Sequence, residues 1–491
     1  MPGTFSKANR PKLAGSYFNF EQRLADPVPS SPGTAVALIG RHDWGPIGEP
    51  VRFPDWQTMQ AVIGDSDDTE TYLGGRSCFL GEGGYGGRQG AGEIVYVRVA
   101  GSAAAEATQT IQNTTPANAL TLTAKYKGTA GNDISTEITD ASTGIDRLRI
   151  LFKGVEVERY DYAETNITAL AADITARSEW VVPSGVTSGV VLDKTDDGAL
   201  TGGDDGTTVA DSDYEDAFAA LEVEPFAVAV IANMVDDDVI ALFAAWIQEL
   251  NQAGKRFFGV IGGDDTTDTM TDAVTRSTTV SWPDIVNVGG FELYDETNGA
   301  DGEEIEITSA QFAPCVAGAL AARGEYASLV NARFPHVRIK RGPTNAEQVQ
   351  AHDGGVVTVA RDSNAEAQVY LVTGMTTWTE TSADADESRP YRTFRQTKYV
   401  RTMHGIETDL TEDAQGRIGT GSVDDNARIA AVGAAKTILS AREQAGVIQP
   451  GWTVGVDQNP PPTDEDEFIA LSLTCRFGRS LDQVFWTAKV S

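Results

Sequence analysis

Two apolar runs, TAVALI at 34–39 and FAVAVIA at 226–232, have the composition of strands buried on both faces, yet the residues between about 102 and 205 follow a different period. Apolar and polar residues alternate there in ALTLTAKY, RLRILFKGVEVERYDY and SGVVLDK, with Gly, Asn, Asp and Thr clusters between them and one short helical stretch near 166–177. A period of two with turn residues at short intervals specifies a small antiparallel β domain, closed by the loop TGGDDGTT at 201–208. Beyond that loop, helix and strand alternate. Residues 214–222 read as helix, 226–232 as strand, and 236–253 carry helical spacing through Ile240, Phe243, Ala244, Ile247 and Leu250 until Gly254 stops them. FFGVIGG, a strand at 284–293 and a helix near 309–323 continue the series, the signature of a mostly parallel sheet under helices. Glu93–Ala100 (EIVYVRVA) adds a strand of the same kind before the insert. One discontinuous α/β domain is therefore expected over 24–101 and 206–350, with 102–205 as an inserted β-rich outer domain.

The last third reads as a C-terminal α+β domain over 351–475. Its expected strands are VVTVARD, EAQVYLVTGMTTW and the aromatic-basic stretch Tyr391–Tyr399, and its clearest helix runs from a cap at Asp424 or Asp425 to Gly446. Alternating Ile469, Leu471, Leu473 and Cys475 make one closing strand; Val484, Trp486, Ala488 and Val490 make another. At the other end, Pro2, Pro11, Pro27, Pro29 and Pro32 surround the aromatic stretch Ser16–Phe20, which cannot build a core by itself and reads as an extended arm. The fold class is thus mixed, multidomain α/β: an α/β core with a β-rich insert, a C-terminal α+β domain, and strand-forming arms at 1–23 and 476–491. A strand at 484–490 has to pair with something, and strand addition to a neighbouring chain's sheet would satisfy it.

Composition narrows the function. With 71 Asp and Glu against 38 Lys and Arg, the net charge of -33 repels phosphate backbones, so no nucleic-acid partner is expected. Only 11 of the basic residues are lysine, a balance that fits either a salt-rich habitat or a GC-rich genome. No apolar run approaches the roughly 20 residues of a bilayer span, and MPGTFSKANRPK has no apolar signal segment, so a soluble protein made in the cytoplasm, without membrane insertion, is expected. Cys78, Cys315 and Cys475 form no CxxC pair and read as buried thiols, with a bridge between subunits as the alternative.

Catalytic chemistry is sparse. His42, His336, His352 and His404 have no metal-pair spacing, and neither a GxSxG elbow nor a phosphate loop occurs. GEGGYGG at 81–87 lacks the strand that should precede a dinucleotide fingerprint, and the acidic runs 236–238 and 464–467 lack the spaced ligands of a calcium loop. No catalytic, cofactor-binding or metal residue is assigned, no cofactor is expected, and the chain is not expected to be an enzyme.

Three segments resemble one known family. GTFSKANRPKLAGSYFNFEQR is similar to the opening of phage tail sheath proteins, in which Arg and Pro are followed by Gly-x-Tyr-x-Asn-Phe; Gly15, Tyr17, Asn19 and Phe20 fit that ending, while Ala14 stands where the family usually has proline. LTLTAKYKGTAGNDI resembles a second sheath motif through Ala124, Tyr126, Gly128, Thr129, Gly131, Asn132 and Ile134, and the terminal strand pair resembles the family's C-terminus. The resemblance implies a structural subunit that stacks as hexameric rings around a tail tube and contracts to drive the tube through a host envelope, in a virion or a related injection system. It implies a helical homo-oligomer with tube, baseplate and tail terminator proteins as partners. It also implies arm contacts between subunits, for which Tyr17, Phe18, Phe20, Val484, Trp486 and Val490 are the anchors, and a tube-facing C-terminal domain, where Arg428, Lys436 and Arg442 lie on the 424–446 helix. A receptor-binding or adhesin protein and an α/β enzyme are the alternatives; the first leaves the strand-like ends unexplained and the second lacks a convergent polar site.

Overall fold

Val36 and Leu38 of the strand Ala35–Arg41 turn to one side of a sheet and Ala37 and Ile39 to the other, and all four are fully buried, so both faces of this strand are covered. The computed structural model describes residues 34–63, 70–82, 90–194, 198–206, 208–232, 236–263, 268–295, 305–324, 327–361, 368–379, 394–416, 425–456 and 471–477. They fall into two units: described residues 34–404 with 476 and 477, and described residues between 405 and 475.

In the large unit Ala35–Arg41 is central to a seven-stranded sheet in the order Val356–Val357, Ile285–Val288, Phe258–Ile261, Val228–Ile231, Ala35–Arg41, Glu93–Val99, Val51–Phe53. All neighbours are parallel except Val51–Phe53, which runs antiparallel on the edge. One face packs on helices Asp211–Leu221 and Asp237–Gln252 through Phe218, Phe243, Trp246 and Ile247. The other packs on Ser309–Ala322 through Phe312, Val316 and Leu320, and on Cys78 of Glu70–Leu80. Asp236 caps the second of these helices through Val239 N–H (3.0 Å), and Thr308 and Gln311 form a capping box at the start of Ser309–Ala322. The expected strand 284–293 is broken in two, because Gly290 takes φ +82° and redirects the chain into Glu292–Asp295.

Residues 104–201 build sheets of their own. Thr108–Gln112, Asn118–Ala124 and Val181–Ser184 form one, and Gly198–Ala199, Ile134–Ser142, Ile145–Phe152 and Val155–Ala163 the other. With the helix Ile167–Arg177 they enclose a separate core of Ile111, Leu120, Leu122, Ile134, Leu148, Ile150, Leu170 and Ile174.

Two expectations for the last third need correction. The boundary placed at 351 falls inside the large unit, where Val356–Val357 joins the main sheet and Val359, Val369, Leu371 and Val400 join its core. A strand of two residues leaves no periodicity to read. The strand expected up to Tyr399 is instead the start of the helix Thr397–Gln415, amphipathic with Val400 and Ile406 buried; residues 391–393 lie outside the described part. In the small unit, the helix Asp425–Gln444 packs on the strand Ile448–Val456 through buried Leu439, Val447 and Ile448; the strand Leu471–Phe477, whose first five residues belong to this unit, pairs with Ile448–Val456.

Candidate functional site

The chain enters and leaves the insert through a narrow neck. Gly101 N–H donates to Gly206 O (2.8 Å), Ala105 N–H to Asp204 O (2.9 Å), and Thr108 and Thr201 exchange bonds at 2.8 and 3.0 Å. The segment KYKGTAGND wraps this neck. Gly128 has φ +137° and lies so close to the core loop that a Cβ would stand 1.9 Å from the Asp43 carbonyl oxygen. Thr129 gives both its N–H and its hydroxyl to the Asp205 carboxylate (2.6 and 2.7 Å), and the Asn132 side chain exchanges bonds with the Gly203 backbone (3.0 and 2.9 Å). The motif residues Gly128, Thr129 and Asn132 thus act together, locking the insert's first turn to its exit loop and to the core.

Two core residues complete the clasp. Arg98, on the strand Glu93–Val99, is fully buried and donates from Nη1 to Gly45 O (2.8 Å) and Lys127 O (2.6 Å), bridging core loop and insert with one guanidinium. Burial draws its pKa down, with Tyr96, Asp205 and Asp43 opposing. Trp44, from the loop RHDWGP, leaves its own domain and joins the insert's core, 5.3 Å from Tyr126 edge-on and 5.5 Å from Trp180 in a stack. Sequence reasoning passed over both. Their signals were an arginine in the otherwise apolar run EIVYVRV and a tryptophan in a Gly/Pro loop.

At the carboxyl ends of the parallel strands, where a sheet of this kind holds ligands, the described residues around Ile231 and Ile261 pack closely. The space between Ile231, Ile240, Ile261, Gly262 and Ala310 is about 10 Å³, room for one water. Beside it Asp268 is buried, accepts from Ser309 Oγ (2.8 Å) and pairs with Arg276 (3.1 Å), whose Nε donates to Asn287 (2.9 Å). Every partner is internal, so the network holds strands to helices.

Each histidine has its own set of neighbours. Nδ1 of buried His42 accepts from Trp44 N–H (3.1 Å), His336 Nε2 lies 3.4 Å from Cys315 Sγ, exposed His352 meets Asp353, and His404 Nε2 meets Asp284 at 2.7 Å. At the Cys315–His336 contact burial raises the thiol's pKa well above its usual value and lowers that of the imidazole, so both neutral forms are favoured. Among the described residues no group of three His, Cys, Asp or Glu is placed to hold a metal ion, and no helix is long and apolar enough to cross a membrane.

Of the three basic residues named on the C-terminal helix, Arg428 and Lys436 are exposed. Arg442 is not: it is 1% exposed, with Nε and Nη2 on the Asp409 carboxylate at 2.8 and 2.6 Å, so it ties two helices together and leaves the exposed basic set. Tyr17, Phe18, Phe20, Val484, Trp486 and Val490 lie outside the described residues.

No family model matches the chain. The Bacillus subtilis (strain 168) phage-like element PBSX protein XkdK is 27% identical over 269 residues, 52% of this chain and about half (54%) of XkdK. The uncharacterized protein YqbK of the same organism is 24% identical over 435 residues, 85% of this chain and 82% of YqbK. Among solved structures, the sheath tail protein of Desulfitobacterium hafniense superposes with a TM-score of 0.69 over 94% of this chain and 100% of its own, at 21% identity. The chain has the tail sheath fold. The sheath tail protein Lin1278 of Listeria innocua follows at 0.62 (19% identity, 91% of this chain, 96% of that one). The contracted PVC sheath of an extracellular contractile injection system reaches 0.52 (13% identity, 98% of this chain, 99% of that one). The clasp around Gly128 and Arg98 is therefore a joint within a sheath fold.

Proposed function

We propose that this chain is the repeating subunit of a contractile tail sheath, a structural protein rather than an enzyme. The reading is carried by the superposition on a whole sheath tail protein over 94% of the chain and 100% of that protein. The subunits stack as hexameric rings around a tail tube and, on a signal from the baseplate, exchange one set of interfaces for another, driving the tube through the host envelope. Likeness to a chain of the anti-feeding prophage baseplate, at a TM-score of 0.52, supports the baseplate as a partner, and likeness to its contracted helical sheath, at 0.54, supports the helical assembly. The tube and tail terminator proteins, a place in the virion tail and synthesis in the host cytoplasm belong to the same proposal. The insert projects outward, the C-terminal region faces the tube with Arg428 and Lys436, and the arms at 1–23 and 476–491 add strands to neighbouring subunits. The sheet of Ile448–Val456 and Leu471–Phe477 supports this last point, since its described part has two strands and a two-stranded sheet needs further partners for stability. Negative-stain images of the purified full chain test the function. Long hollow tubes are expected; discrete particles under every assembly condition would overturn the reading.

A further inference from the structure

Lysine is scarce in this chain, 11 residues in 491, yet three lysines, Lys125, Lys127 and Lys153, adjoin the aromatic residues Tyr126 and Phe152 of the insert. Lys125 Nζ stands 5.8 Å over the Tyr126 ring and Lys153 Nζ 5.6 Å over Phe152; Trp180 lies 4.8 Å from Phe152, and Lys127, next to Tyr126 in the chain, is exposed. The three rings are half-buried, resting on the insert's core, and Lys125 also meets Glu179 at its edge. Aromatic rings bordered by ammonium groups make a surface that selects an apolar side chain flanked by carboxylates.

Such a group stands elsewhere on the same unit. The helices Asp211–Leu221 and Asp237–Gln252 carry seven acidic residues and no lysine or arginine. The first ends in Glu222-Val223-Glu224, and Val223, 85% exposed, is the most exposed large apolar side chain among the described residues. Lys255 Nζ donates to the carbonyls of Leu221, Glu222 and Glu224 at 3.0, 2.8 and 2.8 Å, so the turn is held in shape before any partner arrives.

We propose that the Val223 turn of one copy docks on the Tyr126–Phe152–Trp180 patch of a second copy, with Glu215, Asp216 and Glu222 facing the lysines. The two surfaces lie on different elements, so the contact is head-to-tail, the kind that propagates into an open helical array instead of closing a two-fold dimer. The inference rests on the sheath reading above and adds one specific contact to it.

Charge exchange in the full-length chain tests it. Lys127→Glu with Lys153→Glu, or Glu215→Lys with Asp216→Lys, is expected to raise the protein concentration needed for polymer formation about tenfold, with unchanged thermal unfolding. Combining all four is expected to return it close to wild type, and Val223→Ser is expected to weaken assembly alone. Charge-reversed pairs that polymerise like wild type overturn the contact while the sheath reading stands. A four-residue exchange no better than either pair overturns it likewise, and wild type that forms no polymer removes both.

Discussion

Gly128 shows how a single residue can be fixed by two separate demands. Its φ of +137° is open to glycine, and a side chain there would strike the Asp43 carbonyl. Gly128→Ala is expected to lower stability by about 2–4 kcal/mol, against about 1 kcal/mol for Gly154→Ala, where φ is +78° but the space is open. Equal denaturant midpoints for the two variants would contradict the clasp. Lys255 offers a test by pH. Burial holds its ammonium at about 8, below the usual 10.5, while Glu222 and Glu224 pull upward. Between those values the unfolded chain binds more protons than the folded one, so the site's contribution to stability rises as pH climbs from about 8 to about 10. The stability of wild type relative to Lys255→Met should therefore increase across that window in urea titrations; a pH-independent difference would refute it.

At the scale of elements, the two neck segments and the residues that cross them decide how separable the insert is. Sequence period alone made 102–205 look self-contained, and the alternation there corresponds to real strands such as Ile145–Phe152. What alternation cannot reveal is that Trp44 and Arg98 of the core complete the insert, because a loop tryptophan and a strand arginine have no period. Excision of 105–201 with a short Gly/Ser linker is expected to expose Trp44 and strip Arg98 of the Lys127 carbonyl, giving a chain that aggregates. Adding Trp44→Ser and Arg98→Val should restore a cooperative melt. A normal melt for the simple excision would show the clasp to be dispensable. Other elements were legible for plain reasons: the helix 236–253 had apolar spacing, a cap and a stop, whereas Val356–Val357 was too short and Thr397–Gln415 hid behind an aromatic-basic start. On the helix Asp425–Gln444, reversing Arg428 and Lys436 is expected to weaken docking to the tube protein, and less so at high salt, in pull-downs at two ionic strengths. Arg442→Glu should instead lower the melting temperature, since it would set two carboxylates together in a buried site. Undiminished tube binding by the Arg428 and Lys436 variant would leave that helix an ordinary solvated face.

For the whole molecule, the likeness to sheath proteins was legible in three short segments, two of which reach the described residues. The Gly128–Asn132 turn is the clasp itself, and the closing alternation reaches Cys475 in the strand Leu471–Phe477. The proposed arms carry the remaining claim. Aromatic and aliphatic residues at both ends would give a lone subunit adhesive surface, and linking subunits through added strands lets rings shift against one another without coming apart. Sedimentation velocity on the full chain, on a chain lacking residues 1–20 and on one lacking the last 10 tests this account most directly. Polymers are expected from the full chain alone, and folded monomers of near-normal thermal stability from both truncations; polymers of normal size from the truncated chains, or none from the full chain, would contradict it.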